Sequence, residues 1–269
     1  MEVIILKLIN EIYKDILIDL KYRSNKANNT TELLNYSFRL HNITDNVITL
    51  RGRHQPHYTI GELLWYWSGR NDVEFIKKFG NYWDKITDDG VTSNSAYGYI
   101  LKKKFGYDQI ELAIRMLKED PYSRRAVMNI NTPTPNKIIT RDSQCTISLV
   151  PFVRDNKVHM TAIMRSNDVI TGVPFDVTFF TEVQKYIAER LDLETGTYTH
   201  YDVSLHLYDK DLSKLDALIH DDEVECEYHL DLLRNKNIMN ELIDYVDNHW
   251  ISKEDFLNKC KNIGIYKEL

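Results

Sequence analysis

Apolar residues return at helical spacing near the start of the chain, at Ile4, Ile5, Leu8, Ile9, Ile12, Ile16 and Leu20, and the charges between them predict an amphipathic helix over residues 3–20. The asparagine-rich stretch from Ser24 to Asn29 reads as a loop. Thr59 to Ser68, carrying Leu63, Leu64 and Trp67, predicts a largely buried helix, and residues 73–79 continue as helix before Trp83. Ile110, Ala113, Ile114 and Leu117 mark a further amphipathic helix closed by Asp120 and Pro121. From Ala126 the period shortens to that of strands, over 126–131, 144–153 and 158–165, with Asp155 and Asn156 as the reversing turn between the last two. Pro174 stands where a first helical residue belongs, and Phe179, Phe180, Val183, Ile187 and Leu191 follow as an apolar stripe. Residues 203–208 alternate again, with Ser204, His206 and Tyr208 on one face and Val203, Leu205 and Leu207 on the other. Helices and strands mix without a regular βαβ rhythm, which predicts an α+β fold with a mainly antiparallel or mixed sheet.

Composition narrows the classes. With 269 residues, 43% hydrophobic and 28% charged, the chain is expected to form a single globular domain over 1–269, and no linker or repeat divides it. A net charge of −6 supplies no field for a nucleic-acid backbone, so a small anionic substrate held by a few placed arginines is expected instead. The three cysteines, Cys145, Cys226 and Cys260, are an odd number without metal-like spacing. They argue against a disulfide framework or a metal site and for a reducing, cytoplasmic setting. The opening Met1 to Lys7 is too short and too soon charged for a signal peptide or membrane span. Neither a glycine-rich phosphate loop nor a dinucleotide fingerprint is present.

Candidate chemistry gathers around the predicted hairpin, whose antiparallel pairing would set Cys145 beside Arg165 and Ser166. A cysteine near an arginine is a candidate nucleophile, since a cation favours the thiolate; alone, it would read as a small buried hydrophobe. Arg165 with Ser166 aims a guanidinium and a hydroxyl at one point, a better anion clamp than either alone. Arg124 and Arg125 could hold a phosphate or be ordinary surface charge. Glu62, three residues after Thr59, could close a helix capping box or be a desolvated carboxyl that relays protons. Asp176 could favour a helix N-terminus or hydrogen-bond a ligand there. His206 and Tyr208 share a strand face and could both reach a hydroxyl, or be a half-buried pair.

In chain order, Glu62-Leu63-Leu64-Trp65, Tyr82-Trp83-Asp84, Ala96-Tyr97-Gly98, Ser123-Arg124-Arg125, Cys145, Arg165-Ser166-Asn167-Asp168, Gly172-Val173-Pro174-Phe175-Asp176 and His206-Leu207-Tyr208 resemble the thymidylate synthase superfamily, which includes the pyrimidine nucleotide hydroxymethylases. The resemblance covers roughly residues 20–212 and implies an α+β fold, a mixed sheet flanked by helices, dimerising through the sheet. It implies that Cys145 adds to C6 of a pyrimidine nucleoside monophosphate and makes C5 nucleophilic toward 5,10-methylenetetrahydrofolate. Arg165 and Ser166, with their neighbours Asn167 and Asp168, resemble the substrate-binding segment of the same subunit. Arg124 and Arg125 resemble a pair lent by the partner of a homodimer, and Arg23 is the candidate for a further phosphate ligand. Glu62 and Tyr97 match the acid and phenol that organise proton transfer, His206 and Tyr208 the residues that hold the sugar hydroxyl. Trp83, Asp168 and Gly172 fall on the folate side.

Three departures bear on substrate and product. Family synthases usually carry histidine after the nucleophile and asparagine as the base-reading residue, where this chain has Thr146 and Asp176. An asparagine amide satisfies O4 and N3–H of uracil, whereas a carboxylate accepts from the amino group of cytosine and can share a proton with N3. The segment Asn258 to Leu269 also lacks the family's hydrophobic closing tail, so water rather than hydride is expected to capture the one-carbon unit. Cys145-Thr146 and Met164 to Asp168 are similar to phage deoxycytidylate hydroxymethylases. The expected activity is hydroxymethylation of dCMP, the alternatives being a CMP or dUMP hydroxymethylase, a synthase that methylates, or a non-catalytic nucleotide- or RNA-binding dimer.

Overall fold

The computed structural model describes residues 7–132, 139–249 and 252–269, so the part of the first predicted helix on residues 3–6 lies outside the described residues. Its contacts divide into two compact units, one of the chain up to His54 with Ile110–Asn129 and Cys145–Val224, the other of Gln55–Gln109, Ile130–Gln144 and Glu225–Leu269.

The first unit is built on a seven-stranded sheet. Helix α1 (Ile9–Arg23) buries Ile9, Ile12, Tyr13, Ile16, Leu17 and Leu20. The asparagine-rich stretch is not a plain loop: β1 (Asn25–Ala27) turns at Asn28, in the left-handed region at φ 55°, and pairs with β2 (Thr30–Leu40). Strand β2 escaped the sequence reading because its alternation is broken by adjacent Leu33 and Leu34 and at Asn35, where φ is 54°. Helix α6 (Gln109–Glu119) precedes β3, which covers only Met128–Asn129 of the predicted 126–131. Strands β4 (Thr146–Arg154) and β5 (Lys157–Met164) form the expected hairpin, with Asp155 and Asn156 at φ 51° and 57° as a two-residue turn takes. Short β6 (Asn167–Asp168), helix α7 (Val173–Leu191), the long β7 (Glu194–Tyr208) and helix α8 (Leu215–Ile219) complete the unit.

The strand order is β1-β2-β7-β5-β4-β3, with β6 also on β7. Strands β5 and β7 run parallel, as do β6 and β7, while the other pairs are antiparallel. Parallel neighbours need a crossover, and α7 supplies it, packing Phe179, Phe180, Val183 and Ile187 into the core against β5 and β7. Strand β7 is far longer than the predicted 203–208. Its first half buries Tyr198, His200 and Asp202, and the buried positions then shift phase to Leu205 and Leu207, so no single apolar alternation marks it.

The second unit is mainly helical. Helix α2 (Pro56–Trp67) buries His57 through Trp67 without a break. Helices α3 (Val73–Ile76), α4 (Tyr82–Ile86) and α5 (Tyr97–Lys102) follow, so the predicted helix 73–79 stops at Ile76. A two-stranded sheet pairs β8 (Cys226–Tyr228) with β9 (Tyr266–Glu268), and helices α9 (Lys236–Asn248) and α10 (Lys253–Ile263) lie between them in sequence. Because α2 begins at Pro56 with Gln55 before it, Thr59 sits inside the helix; the capping-box account of Glu62 is wrong. No helix among the described residues is long and apolar enough to cross a membrane.

One glycine fixes how closely α5 approaches α2: a Cβ on Gly98 would lie 1.9 Å from the carbonyl oxygen of Tyr66, a backbone atom that cannot swing aside. Gly98→Ala is therefore expected to cost about 3 kcal/mol by overpacking, read as a lowered midpoint in urea denaturation.

Candidate active site

In the first unit, chemistry collects where β4 begins beside the end of β5 and where β6 pairs with β7. The β4–β5 register slips between Thr146 and Ser148, an irregularity of the kind that re-aims neighbouring side chains, immediately after Cys145. Across this gap the Arg165 amide donates to the Cys145 carbonyl at 2.8 Å, and the Arg165 Nη2 lies 3.7 Å from the Cys145 Sγ. Cys145 is half-buried, so its sulfur is neither sealed in the core nor fully in water. A guanidinium at that distance stabilises the thiolate, the form that attacks carbon. Ser166 Oγ approaches His206 Nδ1 at 3.5 Å, and the His206 and Tyr208 rings meet edge to face at 5.2 Å.

The next turn carries the remaining candidates. Asp168 pairs in register with His206, and its Oδ1 accepts from the amides of Ile170 at 2.7 Å and Thr171 at 3.3 Å. Its Oδ2 makes no hydrogen bond among the described residues and remains an acceptor. Gly172 opens α7 with its amide donating to the Asp168 carbonyl at 2.8 Å, and a Cβ there would lie 2.0 Å from Asn167 Oδ1. Asp176 is half-buried in the first turn of α7, its amide donating to the Gly172 carbonyl at 2.9 Å. Sequence reasoning missed Arg53: it is buried, lies over the Phe175 ring at 5.1 Å and hydrogen-bonds Tyr13, whose phenol burial pushes well above its usual range. Nothing in the local sequence marks that arginine as buried.

The phosphate candidates divide. Arg165 and Ser166 stand together. Arg124 and Arg125 are exposed in the segment between α6 and β3, and Arg23 ends α1 with its side chain 71% exposed and paired to Asp19 at 2.9 Å.

In the second unit, Glu62 is buried on α2, and burial pushes its carboxyl up to about 7, partly offset by hydrogen bonds from Tyr58, Trp83 and Tyr66. Tyr58 donates its hydroxyl to Glu62 Oε1 at 2.8 Å and accepts from Trp83 Nε1 at 3.0 Å. Trp83 is thus tied into the support of the carboxyl. Tyr97, the first residue of α5, stacks on Tyr66 with ring centroids 5.6 Å apart. A carboxyl with a pKa near neutrality is suited to take and return a proton. Tyr58 was not singled out from sequence, although its position four residues before Glu62 places both on one helix face.

Comparison with known proteins gives this arrangement its context. The thymidylate synthase family model matches residues 6–250. The chain belongs to the thymidylate synthase family. Among its relatives are the deoxyuridylate hydroxymethyltransferase of Pseudomonas phage M6, 30% identical over 61% of this chain and 47% of the relative, and that of Bacillus phage SP01, 31% identical over 59% and 45%. A thymidylate synthase of Bacillus subtilis subsp. natto is 29% identical over 62% of each. The chain spans about half the length of the two hydroxymethyltransferases it matches. Thermostable thymidylate synthase A from Bacillus subtilis superposes with a TM-score of 0.68 over 85% of this chain and 92% of its own, at 23% identity, which establishes the fold as the thymidylate synthase fold. The family is dimeric, binds a pyrimidine nucleotide and uses methylenetetrahydrofolate.

Two outcomes follow from Glu62. Its pKa is raised from 4.5 to about 7, so the folded state holds the extra proton between those values and wild-type stability falls as pH rises through that window. Glu62→Gln removes the burden, and its stability relative to wild type should rise between pH 4.5 and pH 8 by on the order of 3 kcal/mol, measured by urea denaturation at both. Tyr58→Phe deletes a hydrogen bond that favours the charged form and should push the Glu62 pKa higher still, visible as an upward displacement of its carboxyl titration by NMR.

Proposed function

We propose that this protein transfers a one-carbon unit from 5,10-methylenetetrahydrofolate to C5 of a 2′-deoxypyrimidine monophosphate and releases a 5-hydroxymethyl nucleotide. The observation that carries the reading is the Arg165 guanidinium 3.7 Å from the Cys145 sulfur, with Ser166 next in the chain. That juxtaposition activates a nucleophile beside an anion clamp, which suits a substrate with an electrophilic ring carbon and a phosphate. The thiolate adds to C6, and the electron pair moves to C5. C5 then forms a bond to the one-carbon unit, which the folate supplies at the oxidation level of formaldehyde. Loss of the C5 proton drives cleavage of the bond between the one-carbon unit and the folate nitrogen, so tetrahydrofolate departs and an exocyclic methylene remains. Water adds to that methylene, and expulsion of the Cys145 thiolate from C6 restores the ring. Glu62, with a pKa near 7, is the proton carrier, and His206 with Tyr208 holds the sugar hydroxyl. Asp168, with an oxygen to spare, receives the donors of the pterin. Arg124 and Arg125, exposed, reach the phosphate of the partner in a homodimer.

The named relatives support dUMP as substrate and a hydroxymethyl product. The expectation of dCMP yields first place on that ground. Asp176 keeps dCMP as the second reading, because an ionised carboxylate accepts at both oxygens and matches the amino group of cytosine.

Mass spectrometry of products after incubation with methylenetetrahydrofolate and, separately, dUMP, dCMP and CMP is expected to show a hydroxymethyl group on a deoxynucleotide; a methyl product with dihydrofolate would instead make the protein a synthase. Cys145→Ser should abolish turnover while nucleotide binding persists in calorimetry, and retained turnover would remove Cys145 as nucleophile. Asp176→Asn should raise the ratio of kcat/KM for dUMP over dCMP by about tenfold or more. An unchanged ratio removes Asp176 as the base reader.

A further inference from the structure

Four polar side chains lie together in the core of the first unit where an apolar cluster would pack as well. His200, Asp202 and Tyr198 are fully buried and Asn167 nearly so. The Tyr198 hydroxyl is 2.6 Å from His200 Nδ1. On the other side of the ring, His200 Nε2 meets Asn167 Nδ2 at 3.1 Å and Asp202 Oδ1 at 3.2 Å. Phe38 stacks on the imidazole with centroids 4.9 Å apart and planes 11° from parallel, which fixes the ring's orientation. Tyr198 and Asn167 use the two ring nitrogens and so restrict the ring, while the buried Asp202 oxygens make no hydrogen bond among the described residues and act on the imidazole by charge alone.

The last member of the chain faces the candidate site. Asn167 directs Nδ2 at His200 while its Oδ1 occupies the space where a Gly172 side chain would stand, 2.0 Å from that Cβ position. Gly172 opens α7, its carbonyl accepts the Asp176 amide, and its own amide is tied to Asp168. Asn167 is also flanked in sequence by Ser166 and Asp168, the anion and pterin candidates. A continuous contact path thus runs from β7 to the turn that presents Asp176.

We propose that His200, backed by Asp202 and Tyr198, is a positioning residue for base selection: it fixes the Asn167 amide, and through Asn167 and Gly172 the opening turn of α7, and so sets the aim of the Asp176 carboxyl. The inference rests on the reading of Asp176 as the group that meets the base. Tyr198 feels the charges of both Asp176 and Asp202, so both carboxyls lie within electrostatic reach of the same phenol. A ring that acts in this way affects discrimination between uracil and cytosine more than it affects phosphate binding, since its path to Asp176 runs through Asn167 and Gly172 and not through the Arg165 side chain.

The test compares wild type with His200→Phe, which keeps the stack on Phe38 and removes both nitrogens, and with His200→Gln, which restores a hydrogen-bonding partner for Asn167. Two quantities are read: the ratio of dissociation constants for dUMP and dCMP, and backbone hydrogen exchange at Gly172 and Asp176. His200→Phe is expected to compress the ratio by about tenfold, equivalent to one buried hydrogen bond, and to speed exchange at those amides, with His200→Gln recovering part of both. Equal weakening of both nucleotides, or an unchanged ratio, with exchange as in wild type overturns the proposal. If wild type does not distinguish or bind the nucleotides, the functional reading fails and exchange alone decides the positioning link: acceleration supports it, no change overturns it. Asp202→Asn, expected to act in the same direction and less strongly, decides by the same two readouts if His200→Phe does not fold.

Discussion

The parallel pairing of β5 with β7 is the constraint on which the rest of the first unit depends. Two parallel neighbours cannot be joined by a tight turn, so the chain must leave the sheet after β5, cross it and return. Helix α7 makes that crossing, and most of the first unit's candidate residues lie on the way out or the way back. Arg165, Ser166 and Asp168 are on the exit, Gly172 and Asp176 open the crossing helix, and His206 and Tyr208 end the returning strand. The hairpin turn at Asp155 and Asn156 adds the last element by folding β4 back along β5, which delivers Cys145 to the same end.

Burial of polar groups serves opposite ends in the two units. Around Glu62 it withholds water from a carboxyl and thereby adjusts its readiness to hold a proton, with Tyr58, Trp83 and Tyr66 limiting the adjustment. Around His200 it removes freedom: the ring is gripped at both nitrogens and on one face, and geometry rather than charge is what the neighbours gain. Both arrangements sacrifice stability that an apolar cluster would supply.

The sequence announces the hairpin, the long crossing helix and the residues at their ends, because apolar periods and turn residues there are strong and because Cys145 and Arg165 fall ten residues before Asp155 and nine after Asn156, a mismatch of one that the slip after Cys145 takes up. Strand β2 and the first half of β7 are illegible for a physical reason. Strand β2 breaks its alternation at Leu33, Leu34 and Asn35, and β7 buries Tyr198, His200 and Asp202 where an alternation rule expects aliphatic side chains. Glu62 could be placed on a helix, but whether its carboxylate served the backbone or a tyrosine depended on where α2 began, and Pro56 with Gln55 set that start earlier than Thr59 suggested. Arg53 and Tyr58 were silent because burial of a polar residue is decided by distant chain segments.

The register of β2 on β7 carries one more consequence, for the order of assembly during synthesis. Thr30 pairs with Tyr208 and Leu40 with Tyr198, so the central seam of the sheet joins segments separated by most of the chain. Contacts of such sequence separation are the slowest to form. On a ribosome, which emits residues in order, β2 must wait beside β1 with one edge open until β7 emerges, while the β4–β5 hairpin can close early from its own turn. The nascent chain therefore carries an exposed strand edge through much of its elongation, a stage at which the charged Glu32 and Arg39 on β2 work against pairing with neighbours.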